Sequence, residues 1–495
     1  MSVAKKTGKL TVYISILCCL LIAYLPFVQR HFSSDSYANI GTIDTTIHLV
    51  NGRIVTYVIQ SIVNGFGIDV VMHQNVVTPL FVCILALSLT LMYSELKDCL
   101  KSKISCATAF VGMLLVYENV FFSEWLLYSE SLTSTGVGLI ILTVAIVLAS
   151  RKLCYKNMCF ATLLLIVTLN MYQLYVEFFV VLSCTLIFAR CEGRLTRESL
   201  VHSVIVIVEA GVASILTIVT QPMISKLFGV SAPDRAATFE LDKIIDNIVS
   251  IAESQRKIWY TAQGLLPKFV LISFFVFVLG SLLFECASVR DSNGGMYVLL
   301  GLVVSMGVTF APHIISSVVW LAPRTMPGIF HILTFLLVAI AVKMDTNRYR
   351  RLHLCVVVLS GLFVIVNAYS AAGIVTNNIA TNRLDENCAH QIETKIEEYQ
   401  NSTGIEITKI ATINDESPTY SYDGIQYVTH DMNIRGLVVS WGDVNLINYY
   451  CNRNYEKTSM LDEVYTLYFE GKNWDSLVLD EQAVFLDDTL YLAMY

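Results

Sequence analysis

Apolar runs long enough to cross a bilayer recur through this chain, and lysine and arginine gather in alternate gaps between them. A hydrocarbon core about 30 Å thick takes roughly 20 apolar residues as a helix, since within lipid the backbone must satisfy its own polar groups. Eleven segments are expected to span: 10–28, 76–93, 104–122, 131–149, 158–172, 175–189, 202–221, 269–289, 296–312, 327–342 and 353–374. The basic clusters are Lys5, Lys6 and Lys9; Lys97, Lys101 and Lys103; Arg151, Lys152 and Lys156; Arg190, Arg194 and Arg197; Arg290; and Lys343, Arg348, Arg350 and Arg351. Short cytoplasmic loops are rich in these residues, so the alternation predicts a cytoplasmic N-terminus and an extracytoplasmic C-terminus. No small-residue cleavage pattern follows the first run, which reads as a retained helix rather than a signal peptide. Composition agrees: 55% of residues are hydrophobic, 15% charged, and mean hydropathy is +0.61.

One segment tests the count. "MCFATLLLIVTLNMYQLYVEFFVVLSCTLIFA" has 32 residues between two basic flanks that should share a side. It must enter and return, as a hairpin of short helices turning at "YQLYVE", with Gln173 and Glu177 near the outer surface. Short helices of this kind generally line a cavity rather than face lipid.

The net charge of −7 averages two unlike parts. From Thr376 onward, 120 residues carry 20 Asp and Glu against 7 Lys and Arg, whereas residues 1–375 carry 20 against 26. We therefore expect a polytopic, mainly α membrane domain over 1–375 and a small acidic extracytoplasmic α/β domain over 376–495. Acidity there argues against nucleic acid and against anionic lipid as its partner. In the tail a helix is expected near 386–400, ended by Gly404, then a strand in "IEITKIATI", with later apolar runs "IRGLVVSW" and "VYTLYF". Cys388 and Cys451 are the tail's only cysteines, and their spacing does not decide whether they pair.

The outer side would then hold the polar material, beginning with the 29–75 loop. From Thr42, Ile43, Ile47, Val50, Ile54, Val58 and Ile62 recur at helical spacing as an apolar stripe. Asp44, His48 and Asn51 stand on its shoulder, four and three apart, so one continuous helix would make them neighbours. Asp35 precedes a break at Gly41, and Arg53 follows the shoulder. Plainer roles exist for each: Asp35 as a helix cap, Asp44 and His48 as a solvated face, Arg53 at lipid headgroups. "NVFFSEWLLYSES" adds Glu118, Glu124 and Glu130. "WLAPRTMPG" sets Arg324 between two prolines, where it would grip a phosphate by paired hydrogen bonds or snorkel at the interface. The 222–268 loop brings Lys226, Arg235, Lys243, Arg256, Lys257 and Lys268, either for an anionic substrate or because long loops escape the charge rule. No Walker loop, HExxH, paired CxxC or GxSxG is present. Charges within the spans are sparse, Glu209 and Glu285 standing out, and an ion-coupled pump usually shows more.

A basic N-terminus, one span, an acid soon after and an amphipathic outer helix resemble the start of GT-C membrane glycosyltransferases. More narrowly, "SDSYANIGT" followed by "NGR", "LNMYQLYVEFF" and "APRTMPG" resemble the Gtr type II group, the O-antigen glucosyltransferases of bacterial surface polysaccharide. Where such enzymes tend to carry a doubled acid this chain has Ser34-Asp35, and the short motifs do not explain the acidic tail. The resemblance implies a polyprenyl-phosphate hexose donor, the hexose being glucose in that family, and inverting transfer to a glycan hydroxyl at the outer face of the bacterial cytoplasmic membrane. It makes Asp35 the first candidate base and Asp44 the second. It casts Arg53 and Arg324 as stabilisers of the departing phosphate, with His48, Asn51 and Gln173 beside the substrate. Glu124 and Glu130 are candidates to hold sugar hydroxyls or a divalent cation, which the sequence does not require. A flippase or transporter of lipid-linked sugar, or a polysaccharide polymerase or ligase, is the alternative.

Overall fold

The computed structural model describes residues 3–231, 237–288, 292–344, 349–425 and 432–495; Arg235, Arg290 and Arg348 lie outside the described residues. The chain is mainly helical with a small C-terminal sheet, and a helix stands at each of the eleven apolar segments. Among the described residues, seven helical stretches are long and apolar enough to cross a membrane: Gly8–Val28, Gln74–Cys99, Ser129–Ser150, Arg197–Phe228, Val270–Ala287, Asn293–Ile314 and Arg350–Thr403. The other four segments form shorter helices, Lys103–Leu114, Tyr155–Leu169, Tyr175–Arg190 and Gly328–Lys343. Two of these, Tyr175–Arg190 and Gly328–Lys343, are apolar on nearly every face and buried on nearly every face. A helix hydrophobic all round belongs inside a bundle, where protein rather than lipid surrounds it.

The 32-residue stretch turns at 170–174 between two helices. Glu177, expected near the surface, is instead buried, with Oε1 accepting the Gly328 N–H at 3.3 Å. A side chain at Gly328 would strike Thr309 Oγ1 and Glu177 Oε2, so glycine is what lets the two helices meet there. At one end of the bundle Arg151 and Arg190 both bond Glu95, which ties three basic loops together.

The amphipathic stripe after Thr42 is not one helix. Thr46–Val50 and Ile54–Gly65 are separate, because Gly52 adopts φ +66° and turns the chain between them. The opposite correction applies at the tail. The span expected at 353–374 and the helix expected at 386–400 are one helix, Arg350–Thr403, closed by Gly404 at φ +74°. No glycine or proline interrupts 374–403, and buried positions at Ala371, Ile374, Val375, Asn378, Asp385, Ala389, Ile392 and Ile396 keep helical spacing while residue types turn polar.

The sheet is four-stranded: β1 (Lys409–Asn414), β2 (Glu456–Thr458), β3 (Ala483–Leu486) and β4 (Thr489–Met494), in the order β2-β1-β4-β3. β1 runs parallel to β2 and β4, and β3–β4 is an antiparallel hairpin. Along β4 Leu490, Leu492 and Met494 enter one core while Tyr491, Ala493 and Tyr495 enter another, as alternation across a sheet buried on both faces requires. The apolar runs "IRGLVVSW" and "VYTLYF" contain helical turns, Gly436–Val438 and Tyr465–Phe469. Cys388 and Cys451 are both free, Cys388 beside the Tyr422 hydroxyl and Cys451 donating to the Ala389 carbonyl. The core that holds Leu490 and Leu492 also takes in Phe32, Tyr37 and Val71, so the tail packs directly on the loop after the first helix.

Candidate active site

The segment 119–131 is the floor on which two polar clusters stand. Asn119 caps it by accepting from the Phe121 and Phe122 N–H groups, and two 3-10 turns follow, Glu124–Leu127 and Ser129–Ser131. Glu124 is 0% exposed and Glu130 is 7% exposed, an arrangement that apolar neighbours alone would make very costly.

Glu124 is compensated by a cation. Its carboxylate forms an ion pair with the Arg324 guanidinium and accepts the Arg324 backbone N–H at 2.5 Å. Arg324 also donates to the Tyr128 hydroxyl at 2.7 Å and lies over the rings of Tyr128 and Trp320, at 4.3 and 4.5 Å. Its carbonyl takes the Trp125 indole N–H at 2.7 Å. The prolines of "APRTMPG" explain the local shape: Pro323 opens a 3-10 turn after extended Ala322, and Pro327 precedes the Gly328–Lys343 helix. The Leu241–Thr261 helix from the 222–268 loop and the turn Ala262–Gly264 after it brace this strap, as Asn247 donates to the Ile314 and Ser316 carbonyls and Gln263 to the Leu321 carbonyl.

Arg53 joins the cluster from the first loop. Its guanidinium lies 4.7 Å from the centre of the Tyr172 ring, and that ring meets Trp125 edge-on at 5.1 Å. The Tyr172 hydroxyl thus lies within electrostatic reach of Arg53 and Arg324 together. The hairpin turn holds the first loop in place: Gln173 donates to the Asn51 carbonyl, Val55 N–H to Asn170 and Thr56 to the Met171 carbonyl. His48 sits in the same loop, where burial first and Arg53 second push its pKa down to about 4, with Asp44 opposing. Asn51 spends its amide on Ile47 of its own helix.

The second cluster surrounds Glu130, whose partners are neutral. Ser33 and Ser36 donate to its two carboxylate oxygens at 3.3 and 3.2 Å, and Gln60 holds its backbone carbonyl at 2.6 Å. Asp35 stands between the two serines, half-buried, close enough for its charge to act on the Glu130 carboxyl. The Ser33 hydroxyl accepts the Asp35 N–H, and Asn39 caps the Asp35 carbonyl at 2.8 Å. The Asp35 side chain does not cap the 3-10 turn Ser36–Asn39 that follows it. Its Oδ1 accepts from the Trp441 indole at 3.0 Å and from Ser34 at 3.3 Å. Asp44 is elsewhere in role: exposed, with Oδ1 accepting the Thr46 N–H at 2.9 Å and its hydroxyl at 2.6 Å, it starts the Thr46–Val50 helix.

The folded chain therefore gathers Arg53, Gln173, Glu124 and Arg324 in one cluster and Asp35 with Glu130 in the other, both on the 119–131 floor. Sequence reasoning passed over His31, Gln60, Gln74, Tyr128, Tyr172 and Trp441. Gln74 is bonded to the His31 backbone on both sides and to Ser129, and the His31 ring meets the Leu126 carbonyl at 3.1 Å. Glutamines at the start of an apolar run and within an apolar stripe were the available signal for Gln74 and Gln60. Among the described residues, no three His, Cys, Asp or Glu side chains converge to hold a metal ion.

No curated protein matches the chain. The family model described as "Glucosyl transferase GtrII" matches residues 24–341, which hold every residue of both clusters except Trp441. That match spans more than half of the 495 residues, and the chain belongs to the GtrII glucosyltransferase family.

Proposed function

We propose that the protein transfers glucose from a polyprenyl-phosphate carrier to a hydroxyl of a surface glycan, at the outer face of a bacterial cytoplasmic membrane, with inversion at the anomeric carbon. The observation that carries this reading is a carboxylate, Asp35, and two arginines, Arg53 and Arg324, in the clusters that stand on one buried floor. Asp35 takes the proton from the acceptor hydroxyl as the new bond from acceptor oxygen to C1 forms. The bond from C1 to the phosphate oxygen breaks on the opposite face, and polyprenyl phosphate leaves with the electron pair. That leaving group requires charge stabilisation rather than protonation, which Arg53 and Arg324 supply beside the apolar floor. Glu124 is assigned to hold Arg324 in place rather than to bind sugar, and Glu130 with Ser33 and Ser36 fixes the Asp35 loop. Asp44 serves its helix and is not needed as a base.

The test is transfer from polyprenyl-phosphoryl-[1-13C]glucose to extracted membrane polysaccharide, read by NMR at the anomeric carbon. A product of opposite anomeric configuration to the donor supports the reading. Retained configuration contradicts the single displacement. Movement of intact donor across vesicles, with no glucose released, would replace the transferase with a flippase.

A further inference from the structure

The family match ends at residue 341, yet one side chain that bonds Asp35 comes from residue 441. Trp441 lies in the turn before the Asp443–Cys451 helix, with its indole N–H on Asp35 Oδ1 and 53% of its surface exposed. The tail's other tryptophan, Trp474, is 9% exposed within the second sheet core, where an indole ordinarily belongs. Leaving so large an apolar ring half open to solvent forgoes part of its burial free energy, a pattern typical of recognition surfaces.

The turn is held against the membrane part of the chain, not merely near it. Gly442 packs closely on the loop after the first helix: a Cβ there would lie 3.2 Å from the Ser34 carbonyl oxygen, tighter than ordinary contact, and 4.0 Å from the Tyr37 Cβ. Lys457 bonds the Ser440 carbonyl and pairs with Asp443 at 2.5 Å, fixing the turn from the tail side. From the other side Phe32 and Tyr37 pack on Tyr449 and Tyr450, and Asn382 bonds both backbone groups of Phe32. The indole is therefore delivered to the carboxylate at a set orientation, its N–H spent on Asp35 and its face left open.

We propose that Trp441 completes the active site from the C-terminal region, as the platform on which a neutral hexose ring of the acceptor glycan stacks beside Asp35. One face of a pyranose carries a patch of C–H groups that packs on the electron-rich face of an indole. Stacking there brings a ring hydroxyl to the base, while the N–H orients the carboxylate that takes its proton. This rests on Asp35 being the base. It also gives the acidic tail a purpose: a surface poor in positive charge excludes anionic lipid and admits uncharged sugar.

The experiment uses the full chain in nanodiscs, polyprenyl-phosphoryl-[14C]glucose as donor and extracted membrane polysaccharide as acceptor. Trp441→Ala is expected to raise the acceptor KM at least ten-fold with the donor KM within two-fold. Trp441→Phe, which keeps a ring and loses the N–H, is expected to hold the acceptor KM within three-fold and to lower kcat. Loss of that hydrogen bond to the charged carboxylate also moves the acid limb of its pH–rate profile upward. Should Trp441→Ala fail to fold, Trp441→Phe and Trp441→Leu carry the same comparison, ring against no ring. An acceptor KM unchanged in a folded ringless variant, Trp441→Ala or Trp441→Leu, overturns the platform, provided Asp35→Asn still abolishes transfer. If Asp35→Asn transfers normally, the proposed base fails, and the stacking role beside it fails too.

Discussion

Glu124 and Glu130 lie six residues apart on the same floor, both buried, and their surroundings are opposite in kind. Glu124 is neutralised by a guanidinium, whereas Glu130 is met by two serine hydroxyls, with the Asp35 carboxylate nearby. The difference divides the site by charge. The Glu124 side assembles arginines and suits an anion that arrives and departs. The Glu130 side assembles carboxylates and hydroxyls and suits the handling of a proton. A donor phosphate and an acceptor hydroxyl would sort themselves between the two.

The pair at Glu124 offers the largest effect on stability. Arg324→Ala leaves a buried carboxylate without its cation, and thermal unfolding is expected to report a loss of about 3–5 kcal/mol. Glu124→Ala with Arg324→Ala should lose less than the two single changes summed, because neither charge is then stranded. Additive losses would break the comparison by showing that the pair is not coupled. At the other cluster Glu130→Gln keeps an acceptor for the serines and removes no partner of opposite charge. Its expected cost is about 1 kcal/mol or less, measured in the same unfolding assay. A loss as large as that of Arg324→Ala would show that the two surroundings are not different in kind.

The smallest effect is one of pH. His48 has a folded pKa near 4, below its ordinary 6.5, so the unfolded chain binds its proton first as pH falls. Stability from this group is complete above pH 6.5 and is lost progressively toward pH 4. Wild type minus His48→Gln in melting temperature should therefore narrow across that window; a constant difference would mean that His48 is not held neutral.

Much of the helix plan was legible because run length and the placing of basic residues are local properties. The 32-residue hairpin followed from its length and its two basic flanks, and the helix stop from a glycine after a polar run, Gly404, which takes φ +74° in the folded chain. What escaped was of two sorts. Gly52 interrupts a stripe whose spacing is unbroken in letters, since periodicity records residue type and not backbone turn. The helix through 374–403 continues where composition changes, because the core it meets changes from bundle to tail. The site itself joins residues far apart in sequence: Arg324 with Glu124, Trp441 with Asp35, Gln74 with His31. Nothing in the residues near Asp35 announces an indole from the tail. The candidates Asp35, Arg53 and Arg324 could be named from charge beside a span; their partners required the folded chain.

In the proposed reaction Asp35 removes the acceptor proton and Asp44 does not. The direct measurement is kcat for glucose transfer by wild type, Asp35→Asn and Asp44→Asn, each checked for folding by its melting temperature. Asp35→Asn is expected to lose about 100-fold or more while Asp44→Asn stays within a few-fold. Comparable turnover in wild type and Asp35→Asn would contradict the claim, most plainly if Asp44→Asn were the variant that lost it.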